Sequence, residues 1–228
     1  MADYEEIKEQ FEELVRNDKR ANDLYTKIRS GKGTYKTASQ LAIRLGTDLG
    51  RVLKQYAPED GSVWDIDIDE LLPRALGLDH RKVIEACREV QNSMNKDAGL
   101  GIKFQEPKFN TDRAFGIVAE LKEHENFADI SKSFYDQLVN FSQNVVDDSI
   151  RDNAMTMWRA GIKAQVIRQH EFKACEWCQN VAGAYDYIDV RDTGNDVWRR
   201  HENCRCTIDY VTERNSGLYS ERVNNFKK

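Results

Sequence analysis

Residues 163–172 read KAQVIRQHEF, and the chain changes character there. Upstream, apolar residues recur every three or four positions, the spacing of helices with one buried face. Here Val166 and Ile167 stand in a strand-like setting, and GAYDYIDV at 183–190 and CTIDYV at 206–211 alternate apolar with polar residues, as half-buried strands do. The fold class this predicts is mainly α: a helical body with long helices, followed by a small C-terminal β-rich module built around cysteines. The boundaries that follow are 1–160 for the body, 161–215 for the module and 216–228 for a tail.

Within the body, Tyr4, Ile7, Phe11, Leu14, Ala21, Tyr25 and Ile28 make one narrow seam, interrupted only where Asp18 replaces an apolar residue; SGKG at 30–33 ends it. A second helix is expected from about Thr37 to Tyr56, with Leu41, Leu45, Leu49 and Val52 on one side. The two form a predicted hairpin over 3–56, and their seams are expected to offer a surface for packing on other proteins. APEDGS at 57–62 punctuates the chain, and DIDIDELLPRALGL reads as a connector of at most one or two helical turns before Asp79 caps a helix through Val83, Ile84, Cys87 and Val90. The alternation of Asp65, Asp67 and Asp69 lacks the glycine and glutamate positions of a calcium loop. GLGIKFQEPKF at 99–109 reads as extended, and Thr111 or Asp112 caps a helix carrying Phe115, Val118 and Leu121. The longest periodic run, Ile130 to Trp158, spans about eight turns and suits a spine for other helices.

Composition narrows the class further. Charged residues make up 32% and hydrophobic residues 40% of 228, with 3 prolines, which argues against disordered and fibrous chains. No apolar run approaches the roughly 20 residues of a membrane span, and the acidic start MADYEEIKEQFEEL lacks the regions of a signal peptide. The expected location is therefore the cytoplasm, where thiols stay reduced and clustered cysteines bind metal more often than they form disulfides. The net charge of −5 is uneven, acidic before residue 150 and slightly basic after it.

Cys175 and Cys178 form a C-x2-C pair, and His201, Cys204 and Cys206 form H-x2-C-x-C. Two such turns brought together supply the tetrahedron that zinc prefers. Five donors compete for four places. Cys175 and Cys178 are the firmest pair; Cys206 follows because it leads into a strand; between His201 and Cys204 the spacing does not choose. A site filled by four protein ligands has no position for water and is structural rather than catalytic. The deaminase and H-E-x-x-H patterns are absent, as are the P-loop, G-x-S-x-G and G-x-G-x-x-G. Cys87, His80 and His124 read as isolated, and His170 as a possible neighbour of the site. Arg199, Arg200 and Arg205, with Trp177 and Trp198, could face nucleic acid, or could pair with Asp192, Asp196 and Glu202.

AGIKAQVIRQHEFKACEWCQNVAGAYDY followed by VWRRHENCRCTIDY resembles the C-terminal signature of the Mu F-like head morphogenesis proteins of tailed bacteriophages, also called minor head or minor capsid proteins. The matching positions are Cys175, Cys178, Gly183, His201, Cys204, Arg205 and Cys206. The resemblance is close over about 158–211 and general elsewhere, and Glu202 stands where the family often has proline. It implies a low-copy phage head component, made in the host cytoplasm and carried in the virion, with portal, major capsid or scaffold proteins as partners and with packaged DNA as a further contact. A zinc-dependent nucleic-acid-binding protein acting through Arg199, Arg200 and Arg205, and a phage-carried nuclease or toxin, are the alternative expectations.

Overall fold

The computed structural model describes residues 3–57, 67–124, 126–192 and 194–215. Six helices lead: α1 (Tyr4–Asn17), α2 (Lys19–Arg29), α3 (Tyr35–Lys54), α4 (Ile68–Asp97), α5 (Thr111–Glu123) and α6 (Phe127–Arg159). The module follows as β1 (Ala164–Gln169), α7 (Glu176–Asn180), β2 (Gly183–Asp186), α8 (Tyr187–Val190), a 3-10 turn (Asp196–Trp198) and β3 (Thr207–Thr212). The expected mainly α class with a small C-terminal β module is what the chain adopts.

The first seam belongs to two helices, not one. Asp18 sits with ψ at 102°, its N–H donating to the Leu14 carbonyl while its carboxylate accepts from the N–H groups of Arg20 and Ala21. One residue thus ends α1 and starts α2, and its other carboxylate oxygen accepts from Arg44 Nε of α3 at 2.7 Å. Ile7, Phe11, Ala21 and Ile28 are buried against α3, whose Leu41, Leu45, Leu49 and Val52 are fully buried as well. The seams therefore pack into this chain's own core, with Tyr4, Leu14 and Tyr25 partly buried against it.

The second correction lies in α4. Helix extends back to Ile68, capped by Asp67, whose carboxylate accepts from Glu70 N–H. Pro73 stands early enough that the hydrogen bond it forgoes involves only a first-turn carbonyl, and burial of Leu71, Leu72, Ala75 and Leu76 holds the segment helical. Asp79 does not cap anything; it is fully buried mid-helix and accepts from Ser142 Oγ of α6 at 2.7 Å. Residues 58–66, with most of the APEDGS turn and Asp65, lie outside the described residues, as does the tail 216–228. Asn110, rather than Thr111 or Asp112, caps α5 through Arg113 N–H, and Phe115 points outward, half exposed.

The spine α6 is one continuous helix of 33 residues, about 50 Å long. It crosses α3 at glycines: a Cβ on Gly46 would lie 2.8 Å from Val139 Cα and 2.6 Å from Ser142 Oγ, and one on Gly50 2.7 Å from the Tyr135 ring. The antiparallel sheet, ordered β2-β1-β3, rests on this pair. All six residues of β3 are buried, and Val166, Ile208 and Tyr210 join the helical core, where Tyr35 and Tyr210 both donate to Gln91 Oε1. The sheet is thereby tied to α3 and α4, and Gln143 of the spine donates to the Cys206 carbonyl just before β3, so the cysteines sit where sheet and spine meet.

Candidate metal centre

Two tight turns present the donors. In the first, Lys173 takes a left-handed backbone (φ 68°), and Cys175 N-caps α7 with its Sγ accepting from Cys178 N–H at 3.5 Å. In the second, Cys204 N–H donates to the His201 carbonyl at 3.1 Å across Asn203 at φ 61°, a conformation asparagine tolerates better than most residues. Cys206 then enters β3.

The turns meet at Cys178. His201 Nε2 lies 3.2 Å from Cys175 Sγ and 2.9 Å from Cys178 Sγ, while Cys204 Sγ lies 4.0 Å from Cys178 Sγ. Two groups of donors, Cys175–Cys178–His201 and Cys178–Cys204–Cys206, each span less than 4.8 Å and share that sulfur. Ligands placed about 2.3 Å (sulfur) or 2.0 Å (nitrogen) from a tetrahedral ion stand roughly 3.5–3.8 Å apart. The observed spacings bracket that value, and the donor set of thiols and imidazole fits a metal ion. His201 Nδ1 is hydrogen-bonded to the Glu202 carbonyl, which assigns the proton to Nδ1 and leaves the Nε2 lone pair toward the sulfurs. All five cysteines are free thiols, so disulfides do not compete. Cys178, Cys204 and Cys206 are buried and Cys175 is exposed.

The frame around the second turn comes from α6. Asp136, Asn140, Gln143 and Asp147 recur at four, three and four residues, forming a buried polar stripe beside the apolar one. Asp136 accepts from Arg205 at 2.7 Å. Asn140 and Gln143 donate to the carbonyls of His201 and Cys206, each at 3.0 Å. Asp147 binds Arg200 through both oxygens, at 2.6 and 2.8 Å. Arg200 also donates to the Cys206 carbonyl at 2.8 Å and reaches Cys204 Sγ at 3.8 Å.

A second guanidinium comes from the sheet. Arg168, fully buried near the end of β1, the central strand, donates to the carbonyls of Asp196, Val197 and Arg199 and to Cys204 Sγ at 3.5 Å, with its guanidinium carbon 5.1 Å from the Trp177 ring centre. A hydrogen bond from Cys206 holds the Cys204 thiol well below the ordinary range against the cost of burial, and the charges of Arg200 and Arg168 act in the same direction. Burial pushes Cys178 up to about 11. Metal binding displaces the thiol protons.

All five expected donors, Cys175, Cys178, His201, Cys204 and Cys206, are thus gathered at one place. The arginines are not gathered on a face. The Arg200 side chain is 1% exposed and committed to Asp147, and Arg205 is committed to Asp136; only Arg199 is outward, paired with Asp196 at 3.0 Å. The expected nucleic-acid trio is thus divided: a buried ion pair with α6 takes Arg200 and a partly buried one takes Arg205. His170 is exposed and bonded to its neighbour's carbonyl, outside the donor groups. Sequence reasoning missed Asp136, Asn140, Gln143, Asp147 and Arg168. The α6 four carried a signal, a polar repeat at helical spacing, whereas Arg168 in an apolar strand carried none.

Comparison with known protein families, with curated proteins and with solved structures finds no match to this chain. Among the described residues, no helix is long and apolar enough to cross a membrane.

Proposed function

We propose that the protein is a minor head protein of a tailed phage, a non-catalytic assembly component whose Cys/His site holds a structural zinc ion. The observation that carries this reading is the convergence of Cys175, Cys178, His201, Cys204 and Cys206, the donors of the head-morphogenesis signature, on a frame that α6 grips through Asp136, Asn140, Gln143 and Asp147. Zinc is the metal this donor set favours, because thiolates and imidazole in a tetrahedron suit it better than they suit the harder divalent cations. The ion with three or four thiolates carries a net negative charge, and Arg168 and Arg200 beside Cys204 offset it. Five donors for four places leave no position open for water, which favours a structural role over hydrolysis.

In this reading the ion ties the 170–182 excursion to the α6-anchored 200–206 segment, and the joined helical and β surfaces dock on portal, capsid or scaffold proteins. The protein is made in the host cytoplasm and incorporated into the head. Direct DNA binding through Arg199, Arg200 and Arg205 is the weaker alternative, since the two inner arginines are spent on aspartates. Quantitative mass spectrometry of proheads and virions from infected cells is the test: a low, fixed copy number per head is expected, and absence from both particles overturns the proposal.

A further inference from the structure

The four thiols of the metal centre are not equally shielded. Cys178, Cys204 and Cys206 are buried, at 2%, 1% and 1% exposed, whereas Cys175 is exposed. The segment that carries it is open as well: Phe172, three residues earlier, is 88% exposed. A small oxidant arriving from solvent therefore meets Cys175 first. Metal ligation keeps that sulfur as a thiolate, the form that attacks a peroxide.

The two halves of the site are also held differently. Segment 200–206 is pinned to α6 by Asp136, Asn140, Gln143 and Asp147, and none of those bonds needs a metal. Around 171–182 the hydrogen bonds close local turns, from Ala174 N–H to the Glu171 carbonyl at 3.1 Å, Gln179 Nε2 to the Ala174 carbonyl at 2.6 Å and the Tyr185 hydroxyl to the Val181 carbonyl at 3.1 Å. Its contacts with the 200–206 turn run through Cys175, Trp177 and Cys178. Cys178 is the sulfur common to both donor groups, so removing it as a donor breaks both at once. Cys175 and Cys178 face each other across the first turn of α7, where Cys175 Sγ accepts from Cys178 N–H. Residues three apart in a helix have Cα atoms about 5 Å apart, within the roughly 4.4–6.8 Å that a disulfide spans.

We propose that the centre is a peroxide-sensitive latch: oxidation of the exposed Cys175, resolved by Cys178, forms a disulfide that releases the ion and unties 170–182 from the α6-anchored turn. This rests on the zinc reading above. Cys175 Sγ attacks hydrogen peroxide, its S–O bond forming as the O–O bond breaks and hydroxide leaves. The Cys178 thiolate then displaces hydroxide from the sulfenic sulfur, and the S–S bond forms. Two electrons pass from the two thiolates to the peroxide, and two protons from solvent convert the two hydroxides to water. The ion leaves because disulfide sulfurs are no longer thiolate ligands.

The test uses the full-length, zinc-loaded protein, freed of reductant and titrated with hydrogen peroxide at pH 7. Zinc release is followed with a colorimetric chelator, and the oxidised cysteines are mapped by mass spectrometry after alkylation of the remaining thiols. Expected is release of the ion together with loss of two hydrogens from the peptide that holds Cys175 and Cys178, with Cys204 and Cys206 alkylated, and recovery of zinc binding after dithiothreitol. Cys175→His keeps a zinc donor and removes the attacking thiol, so its release should be at least about tenfold slower. The disulfide map of the parent decides the matter whatever zinc the variant carries. Zinc retained at about ten equivalents of peroxide, release without a Cys175–Cys178 disulfide, or equal release from the parent and a zinc-loaded Cys175→His each overturns this proposal alone. A parent with no zinc before peroxide is added overturns the zinc reading, and the proposal falls with it.

Discussion

The Asp147–Arg200 pair should be the most sensitive joint between the spine and the metal turn. Both side chains are nearly fully buried, at 2% and 1% exposed, with two N–O contacts at 2.6 and 2.8 Å. Breaking such a pair by removing one partner leaves a buried charge uncompensated, at a cost of about 3–5 kcal/mol. Arg200→Met belongs at the upper end of that range, because it also strips the Cys206 carbonyl of a donor and Cys204 of a neighbouring charge. Asp147→Asn belongs at the lower end, since an amide oxygen still accepts one bond from Arg200. Replacing both, as Asp147→Asn with Arg200→Met, removes the stranded charge, so the double variant should cost less than the sum of the singles by about 2–3 kcal/mol. Urea unfolding of the zinc-loaded proteins at pH 7, run as a double-mutant cycle, measures this. Single costs below about 1 kcal/mol, or additive costs, would refute the idea that this pair anchors the turn.

Burial raises the Asp79 carboxyl to about 7, only partly countered by Ser142 and Lys82. The folded state therefore keeps a proton that the unfolded chain releases near 3.8, and the group becomes a progressively larger liability as pH rises between those values. Asp79→Asn should gain on the parent by on the order of 4 kcal/mol between pH 4 and pH 8; a pH-independent difference in urea unfolding would contradict it. Gly46→Ala places a methyl against Val139 Cα and Ser142 Oγ and should destabilise by about 1–3 kcal/mol, read from the unfolding midpoint. Stripping the metal should expose amides 170–182 to hydrogen exchange while 200–212, held by α6 and β1, stay protected; equal loss in both segments would argue against an ion that acts as a tie.

What the sequence could convey depended on how local the signal was. The long helices were legible because burial on one face leaves a periodic trace, and the five donors were legible because chelation demands short spacing. The strands were legible only in part, since β3 is buried throughout and GAYDYIDV is strand over Gly183–Asp186 but helix over Tyr187–Val190. Asp18 and Asp79 were misread for one reason: an aspartate at a helical position has no fixed meaning until its hydrogen-bond partners are known. Asp18 finds two backbone N–H groups and breaks a helix, while Asp79 finds Ser142 and stays within one. Arg200 and Arg205 looked like a surface because their counterions, Asp147 and Asp136, lie more than fifty residues away on α6. The docking role expected of the first two helices was unreadable in the same way, since an apolar stripe does not state whether its cover is the same chain or another.

The most direct measurement is zinc per chain, after dialysis against a chelator, for the parent and for Cys175, Cys178, His201, Cys204 and Cys206 each changed singly to alanine. A closed structural site predicts one ion in the parent, lost in four variants and retained in the fifth. A parent without zinc, or an ion that depends on only three of these residues, would contradict it and leave an open or metal-free cluster in its place.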